Sequence, residues 1–578
     1  MKIIQPLLRR PIWLLLVVAV AIRILPATVR FVIGSDDGLF LTLGQNLAAG
    51  RGYTGDGLTT QIDFPPGYPF FTAAVYWLGG GLELPTRLNI LAIGALLPLP
   101  VYWLARQLSD AKTALLAGLL TALHPALVLA QGNLESVAEQ PYALLLYTAW
   151  GLLWWGFTCR KLQNLRGHVI SSDDRSEKPL KTALARRGTR DFSLRSAPVE
   201  MTYSGPLHNS CKLWVFGLAG LLIGMAHLVR WEGVILGLVA AGIIVLVLRR
   251  AAVGPALLFL AGLGLFAVPY ALYLYQHTGS ILSPKTMLTQ LHAAAIDASA
   301  SDPFAFEKSF YEPYELWLAN PTRPPEVVRE SRTAALQRYA GNVFLEARLW
   351  FTSFSFMTIF WIVPCSVGLW ALGRKQTLFL LPLLIPLAFI PASVVDPRYF
   401  LIPLPILMIF TAHGWTWLEE RLPALPLSLP GRGGRGEGQP FGFVTSQSVS
   451  PAILLVAATL VLFTLASLAG PFLYPRPVEY RTAGLALRQQ IAPGAHILAR
   501  KRQVAFYANG VWDWLPFAEL EGVLAYAATH RADYLVLDHY TTPDLRPQLA
   551  HLLDPANAPA SLTPVYVGDD VIVYHILR

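Results

Sequence analysis

Two adjacent carboxylates, Asp36 and Asp37, follow Ser35 just after the first long apolar run. A second acidic site, Glu135 and Glu139, lies in Asn133–Tyr142, ahead of another apolar run. Acid and arginine occur together in two further clusters, Arg230-Trp231-Glu232-Gly233 and Asp396-Pro397-Arg398-Tyr399. Lys285 stands in Ser283-Pro284-Lys285-Thr286. These residue types supply both halves of a group transfer. A carboxylate can take a proton from an acceptor hydroxyl or amine, or orient it. A fixed guanidinium or ammonium can hold an anionic group such as a phosphate. Each cluster also has a plain structural reading. Ser and Asp begin helices, and acids there complement the helix dipole, which covers Asp36, Asp37 and Glu139. Arg230, Trp231 and Glu232 fit an interfacial ion pair with a belt tryptophan. What sets the group apart is that its acids and arginines sit at the ends of several apolar runs.

Those runs dominate the chain. Of 578 residues, 54% are hydrophobic and 14% are charged, and the mean hydropathy is +0.46. Ordinary soluble domains are charged at roughly a quarter of positions. A disordered chain, a coiled coil and a conventional soluble enzyme are excluded, and a polytopic α-helical membrane protein is indicated. Cys159, Cys211 and Cys365 are the only cysteines, without a C-x-x-C pair, so a disulfide framework and a structural zinc site are not expected.

Lys2, Arg9 and Arg10 precede an apolar run from Pro11 to about Ile33, read as an uncleaved first span. Further runs long enough for a core of about 30 Å lie near 86–105, 112–131, 140–158, 213–229, 232–249, 254–275, 350–372, 377–393, 399–416 and 451–473. They make about eleven transmembrane helices. With the N-terminus cytoplasmic, the loops predicted to be inside hold Arg106, Lys112, Arg249, Arg250, Arg374 and Lys375, as the positive-inside rule requires. An odd count places the C-terminus outside. Net charge is 45 − 36 = +9. Residues 160–212 alone hold eleven Lys/Arg against five Asp/Glu, so most of the excess lies in one cytoplasmic loop and does not mark a nucleic-acid binder. That loop and the Pro/Gly-rich 422–450 read as disordered insertions into a membrane domain spanning 1–474. Two shorter apolar stretches, Leu39–Ala49 and Pro65–Gly81, read as interfacial helices in the first outer loop. Residues 475–578 change character and read as a small extracytoplasmic α/β domain. In it, Ala483–Gln490, Phe517–Thr529 and Leu545–Leu553 are expected to be helices. His496–Ala499, Val504–Tyr507 and Tyr534–Leu537 are expected to be strands, with a terminal hairpin at Val565–Val567 and Val571–Leu577. Trp512-Asp513-Trp514 reads as an aromatic packing cluster. Arg23, midway along the first span, needs a buried partner that the sequence does not disclose.

The order of these motifs resembles the GT-C superfamily of membrane glycosyltransferases, in particular the bacterial relatives of protein O-mannosyltransferases and aminoarabinose transferases. The matching residues are Asp36-Asp37, Asn46-Leu47-Ala48-Ala49-Gly50-Arg51-Gly52-Tyr53, Pro65-Pro66-Gly67-Tyr68-Pro69, Glu139 before a span, Arg230-Trp231-Glu232-Gly233 and Arg398-Tyr399 with Pro403. Trp231 stands where the family has proline, and Gln140 intervenes between Glu139 and Pro141. The resemblance runs to about residue 475, and the two insertions have no counterpart in it. It implies a polyprenyl-phosphate-linked sugar as donor, and inverting attack by an acceptor at the anomeric carbon, at the outer face of the plasma (inner) membrane. Asp36 would be the base, and Asp37 and Glu139 would orient the acceptor or the base. Arg230, Arg398 and Lys285 would stabilise the leaving phosphate, and Tyr68, Glu232 and Tyr399 would line the pocket. Asp36, Asp37 and Glu139 could hold a divalent cation, but the family implies that none is required. The acceptor could be a protein, a glycolipid or a polysaccharide. The rival readings are a transporter or flippase for a lipid-linked or polar solute, a glycan polymerase or ligase, and a receptor. No internal repeat or pair of broken helices points to the first, and the last leaves the acids and arginines idle.

Overall fold

The computed structural model describes residues 11–28, 33–56, 60–128, 138–171, 213–281, 332–352, 359–392, 395–421 and 478–577, with a few more in 302–308 and 458–465. The chain is a multi-pass helical bundle with a small mixed sheet at its C-terminal end. The helices of the bundle are α1 (Pro11–Thr28), α2 (Ser35–Ala48), α3 (Gly67–Trp77), α4 (Leu84–Leu108), α5 (Ala111–Leu123), α6 (Glu139–Ser171), α7 (Trp214–Val229), α8 (Glu232–Leu248), α9 (Val253–Thr278), α10 (Arg332–Thr352), α11 (Ile359–Ala371), α12 (Arg374–Ala392) and α13 (Leu404–Arg421). Among the described residues, four helices are long and apolar enough to cross a membrane: Leu84–Leu108, Glu232–Ala251, Val253–Thr278 and Arg374–Ala392. Pro11–Ile24, Ala111–Leu123, Trp214–Val229 and Trp361–Ala371 are shorter apolar helices. The two expected first-loop helices are found as α2 and α3, and their 14 and 11 residues are too short to span. Of the expected span 350–372, the described residues belong to α10 up to Thr352 and to α11 from Ile359, and 353–358 lie outside the described residues. Helix α6 runs to Ser171, so its last turns enter the stretch read as an insertion. Residues 172–212, 422–450 and most of 451–473 lie outside the described residues.

Helix α6 is the axis of the bundle. Tyr142, Leu146, Tyr147, Trp150 and Leu153 are all fully buried. Two of its buried polar side chains find backbone partners elsewhere in the bundle. The Trp150 indole donates to Phe379 O at 3.0 Å. The Tyr147 hydroxyl donates to Ile402 O at 3.1 Å and accepts from Ile406 N at 3.0 Å. It is thus spliced into the first turn of α13, where Pro403 and Pro405 leave the ladder short of donors. Helices α11 and α13 cross at Gly368 and Gly414, where a Cβ on either would strike the backbone of the other helix.

Arg23 finds its partner at a helix break. Pro125 cannot donate, and Ala126 N turns to His124 Nδ1 at 3.2 Å, which leaves the carbonyl of Ala122 without its helical donor. The Arg23 guanidinium fills that place at 2.9 Å and also reaches Ala19 O at 3.1 Å. Gln140 supports the same break by donating to Leu127 O at 2.7 Å.

The C-terminal domain forms a five-stranded sheet in the order β2-β1-β3-β5-β4. The strands are β1 (His496–Ala499), β2 (Val511–Trp514), β3 (Tyr534–Asp538), β4 (Leu562–Val567) and β5 (Val571–Ile576), and the helices are α14 (Val478–Leu487), α15 (Gln503–Ala508) and α16 (Leu520–His530). Strands β1, β2 and β3 are parallel, and β5 is antiparallel to both β3 and β4. Two expectations change. Val504–Tyr507 is helical, within α15, and Val511–Trp514 is a strand. Leu545–Leu553 is a short helix (Thr542–Leu545) followed by a 3-10 turn (Pro547–Leu553).

Candidate active site

Helix α2 begins at the two adjacent acids, and they face different ways. Asp37 is fully buried, and its carboxylate accepts from the Gly34 backbone N–H at 3.0 Å. It closes the first turn of the helix and satisfies a donor that has no intrahelical partner. Tyr68, on α3, is also buried, with its hydroxyl 3.4 Å from Asn89 Nδ2. Burial, and then the charge of Asp37, pushes the Tyr68 phenol well above its usual range. Asp36 points the other way. Its Oδ2 accepts from Arg398 Nη1 at 2.6 Å, and its side chain keeps 31% of its exposure.

Arg398 lies in a 3-10 turn, Pro397–Leu401, that joins α12 to α13. Asp396 caps that turn by accepting from Arg398 N at 2.9 Å, and its other oxygen meets Arg398 Nε at 3.2 Å. The arginine is therefore shared between Asp36 and Asp396. Tyr399 sits beside it, with its ring centroid 5.2 Å from the guanidinium carbon and its hydroxyl 3.4 Å from Nη2. The same ring lies 4.9 Å from the guanidinium of Arg230. Arg230 follows α7 directly. It donates to Glu139 Oε1 at 2.6 Å and to Glu232 Oε1 at 2.8 Å. Glu139, at the head of α6, is almost fully buried. Burial opposes the charge on Arg230, but Glu232 and Glu139 outweigh it and hold the guanidinium well above its usual range.

One continuous row results: Asp396 and Asp36 on Arg398, the Tyr399 ring, then Arg230 on Glu139 and Glu232. Five separate elements contribute to it. Gly67, of the Pro65-Pro66-Gly67-Tyr68-Pro69 motif, keeps it closed, because a Cβ there would fall 2.6 Å from Leu228 O, two residues before Arg230. Asp36, Glu139, Arg230, Glu232, Arg398 and Tyr399 are thus brought together from across the sequence. Asp37 and Tyr68 sit behind them, on the buried side of α2. Lys285 and Glu135 lie outside the described residues. Two features were not read from the sequence. Asp396 is the second partner of Arg398, and the Tyr399 ring bridges the two arginines. Their proximity in the Asp396–Tyr399 run was the available signal. Among the described residues, no three His, Cys, Asp or Glu side chains gather in a way that could hold a metal ion.

A carboxylate beside a fixed cation suits transfer away from an anionic leaving group. Asp36 is far more accessible than Glu139 or Glu232, and it touches an arginine that a phosphate oxygen could also reach. The Glu139–Arg230–Glu232 group is more enclosed, where opposite charges hold one another rigidly.

The fold is shared with solved structures of an oligosaccharyltransferase and of ArnT. The archaeal oligosaccharyltransferase AglB from Archaeoglobus fulgidus, solved with an inhibitory peptide and a dolichol-phosphate, aligns with a TM-score of 0.52 at 14% identity, over 91% of this chain and 69% of its own. ArnT from Cupriavidus metallidurans, bound to undecaprenyl phosphate, aligns with a TM-score of 0.50 at 14% identity, over 97% of both chains. Its apo form gives 0.51. No protein-family model matches the sequence, and no curated protein matches it.

Proposed function

We propose that this chain transfers a sugar from a polyprenyl-phosphate-linked donor to an acceptor at the outer face of the plasma membrane, with inversion at the anomeric carbon. The acceptor oxygen or nitrogen bonds to the anomeric carbon, and the bond from that carbon to the phosphate oxygen breaks. The electron pair leaves with the polyprenyl phosphate, and the acceptor proton goes to Asp36. Arg398 and Arg230 stabilise the charge that develops on the phosphate, where fixed donors act most strongly. Asp37 and Glu139 act indirectly, one by fixing the start of α2 and the other by fixing Arg230. Tyr399 keeps the two guanidiniums apart and oriented. Lys285 is a third cation for the phosphate, and Tyr68 and Glu232 support the pocket walls. The single observation that carries this reading is the 2.6 Å contact of Asp36 with Arg398, a carboxylate and a cation joined across 362 positions of sequence. The lipid phosphates bound in AglB and ArnT support the donor class.

The charge bias of the loops supports a cytoplasmic N-terminus and an extracytoplasmic C-terminal domain. No metal is assigned a step, and no observation favours a transporter. The test supplies the purified chain, in lipid vesicles, with labelled polyprenyl-phosphate sugars and a membrane extract as acceptor. The expected result is label moving from the lipid phosphate into a second product, with free polyprenyl phosphate released. If no such donor is consumed, the reading is wrong.

A further inference from the structure

The proposed chemistry takes no side chain from the C-terminal domain, yet that domain reaches the helix that carries Asp36. All six residues of α15 are buried. Val504, Ala505 and Ala508 face the domain's own core, with Tyr480, Ile497 and Val573. Phe506 and Tyr507 do not. They join Ala27 of α1, Ile33, Leu41 of α2 and Ile90 of α4 in a separate apolar cluster. The Tyr507 hydroxyl donates to Glu83 Oε1 at 2.7 Å. The same carboxylate holds Arg481 at 2.7 Å and Arg87 at 2.8 Å, and Arg87 donates in turn to the Ala27 carbonyl. Just before α15, Arg502 lies against α2, where a Cβ on Gly38 would fall 3.3 Å from the Cβ of Arg502. Gly38 is two residues from Asp36, in the same first turn. On another side, Gly44 lets α3 close on α2, because a Cβ there would strike Thr72.

Helix α2 has 14 residues and must take its orientation from its neighbours. From these contacts we infer that α15 is a positioning wedge for Asp36. Phe506 and Tyr507, set by the rigid sheet, fix the pitch of α2 and so the distance of the Asp36 carboxylate from Arg398. This inference rests on the reading of Asp36 as the reacting carboxylate. It makes the C-terminal domain part of the site's geometry without placing any of its residues in the reaction.

The test compares Phe506→Ala, Phe506→Leu and Tyr507→Phe with Val523→Ala, a truncation in the domain's other core, which is remote from α2. Each is made in the wild-type chain and in the Asp36→Asn background. Turnover of a polyprenyl-phosphate sugar and hydrogen exchange of the α2 amides are the readouts. Phe506→Ala is expected to lower turnover on the order of tenfold, with the donor KM within about twofold, because small misplacements act on the reacting step. Phe506→Leu restores most of it, and Tyr507→Phe, which keeps the ring, shows a smaller loss. In the Asp36→Asn background Phe506→Ala adds nothing, since coupled sites are not additive. Exchange in α2 rises for Phe506→Ala and not for Val523→Ala. An undiminished loss in the Asp36→Asn background, or equal losses from Val523→Ala and Phe506→Ala, would overturn the wedge. If the wild type consumes no donor, the transferase reading fails on its own, and unchanged α2 exchange in Phe506→Ala then rejects the wedge independently.

Discussion

Asp36 and Asp37 are neighbours in sequence with different tasks, and the division is physical. A carboxylate at the third position of a helix can bend back to the N–H ahead of it, as Asp37 does to Gly34. The residue before it points outward and is available to a distant partner. Asp37→Ala should therefore cost about 0.5–2 kcal/mol, the usual range for a lost cap, in thermal unfolding of the purified chain. Asp36→Ala should change stability less than turnover. Arg398 tests the other half of the pair. Lysine keeps the charge but cannot reach Asp36 and Asp396 together, so Arg398→Lys should lower turnover by roughly 10²-fold, the scale of one lost oxyanion donor. Turnover near the wild-type rate would mean that charge alone suffices. The residue types at the site were legible in the sequence, because acids and arginines at the ends of apolar runs stand out. Their pairing was not. Arg230 and Glu139 are 91 positions apart, and no local period connects them.

The elements show where local pattern ends. Long apolar runs identified most of the described bundle helices but not α10, whose Arg332–Thr352 is rich in polar residues, and the two short helices of the first loop were visible from their faces and lengths. Val504–Tyr507 was not, because a short apolar run buried on all sides fits a strand or a helix equally. It became α15, closed by Asn509 in the left-handed region at φ 58°. The partner of Arg23 was hidden for a related reason. It is the Ala122 carbonyl, freed where Ala126 N turns to His124, and side-chain patterns carry no trace of it. Arg23→Leu removes that donor and leaves the Ala122 carbonyl bare. The expected cost is about 1–3 kcal/mol in detergent-solubilised unfolding, the range for an unsatisfied buried group. A stable Arg23→Leu variant would show that the break repairs itself. Gly67 makes a similar prediction. Gly67→Ala must push α3 off the end of α7, and should lower turnover together with stability by about 1–3 kcal/mol.

At the scale of the whole molecule, ion pairs within and against the sheet domain bear on solution conditions. Glu307, from the stretch ahead of α10, is held by Arg500 at 2.6 Å and by the buried Arg546 at 2.9 Å. Burial raises the Glu307 carboxyl, but these arginines outweigh it and leave it below its usual value. His496 titrates nearer neutrality. Its Nδ1 is 2.7 Å from Asp513, and that hydrogen bond, partly opposed by burial, raises its pKa above 6.5, with Asp513, Asp533 and Asp56 adding their charge. A raised folded value means that the stabilisation is fully present below about 6.5 and is lost as pH climbs through the folded pKa. The midpoint of unfolding should fall as pH rises above about 6.5, and His496→Gln should flatten that part of the profile. A slope that survives His496→Gln would place it on other groups. The insertions define the reverse case. Residues 175–210 lie in the charged, Ser-rich stretch read from its composition as an insertion, and removing them should leave turnover unchanged. The most direct measurement of the central claim is single-turnover transfer from a pre-bound polyprenyl-phosphate sugar, with wild type and Asp36→Asn compared at equal donor occupancy. Asp36→Asn should hold the donor and transfer at least about 10²-fold more slowly, as expected for a lost general base. Transfer at the wild-type rate would contradict the account.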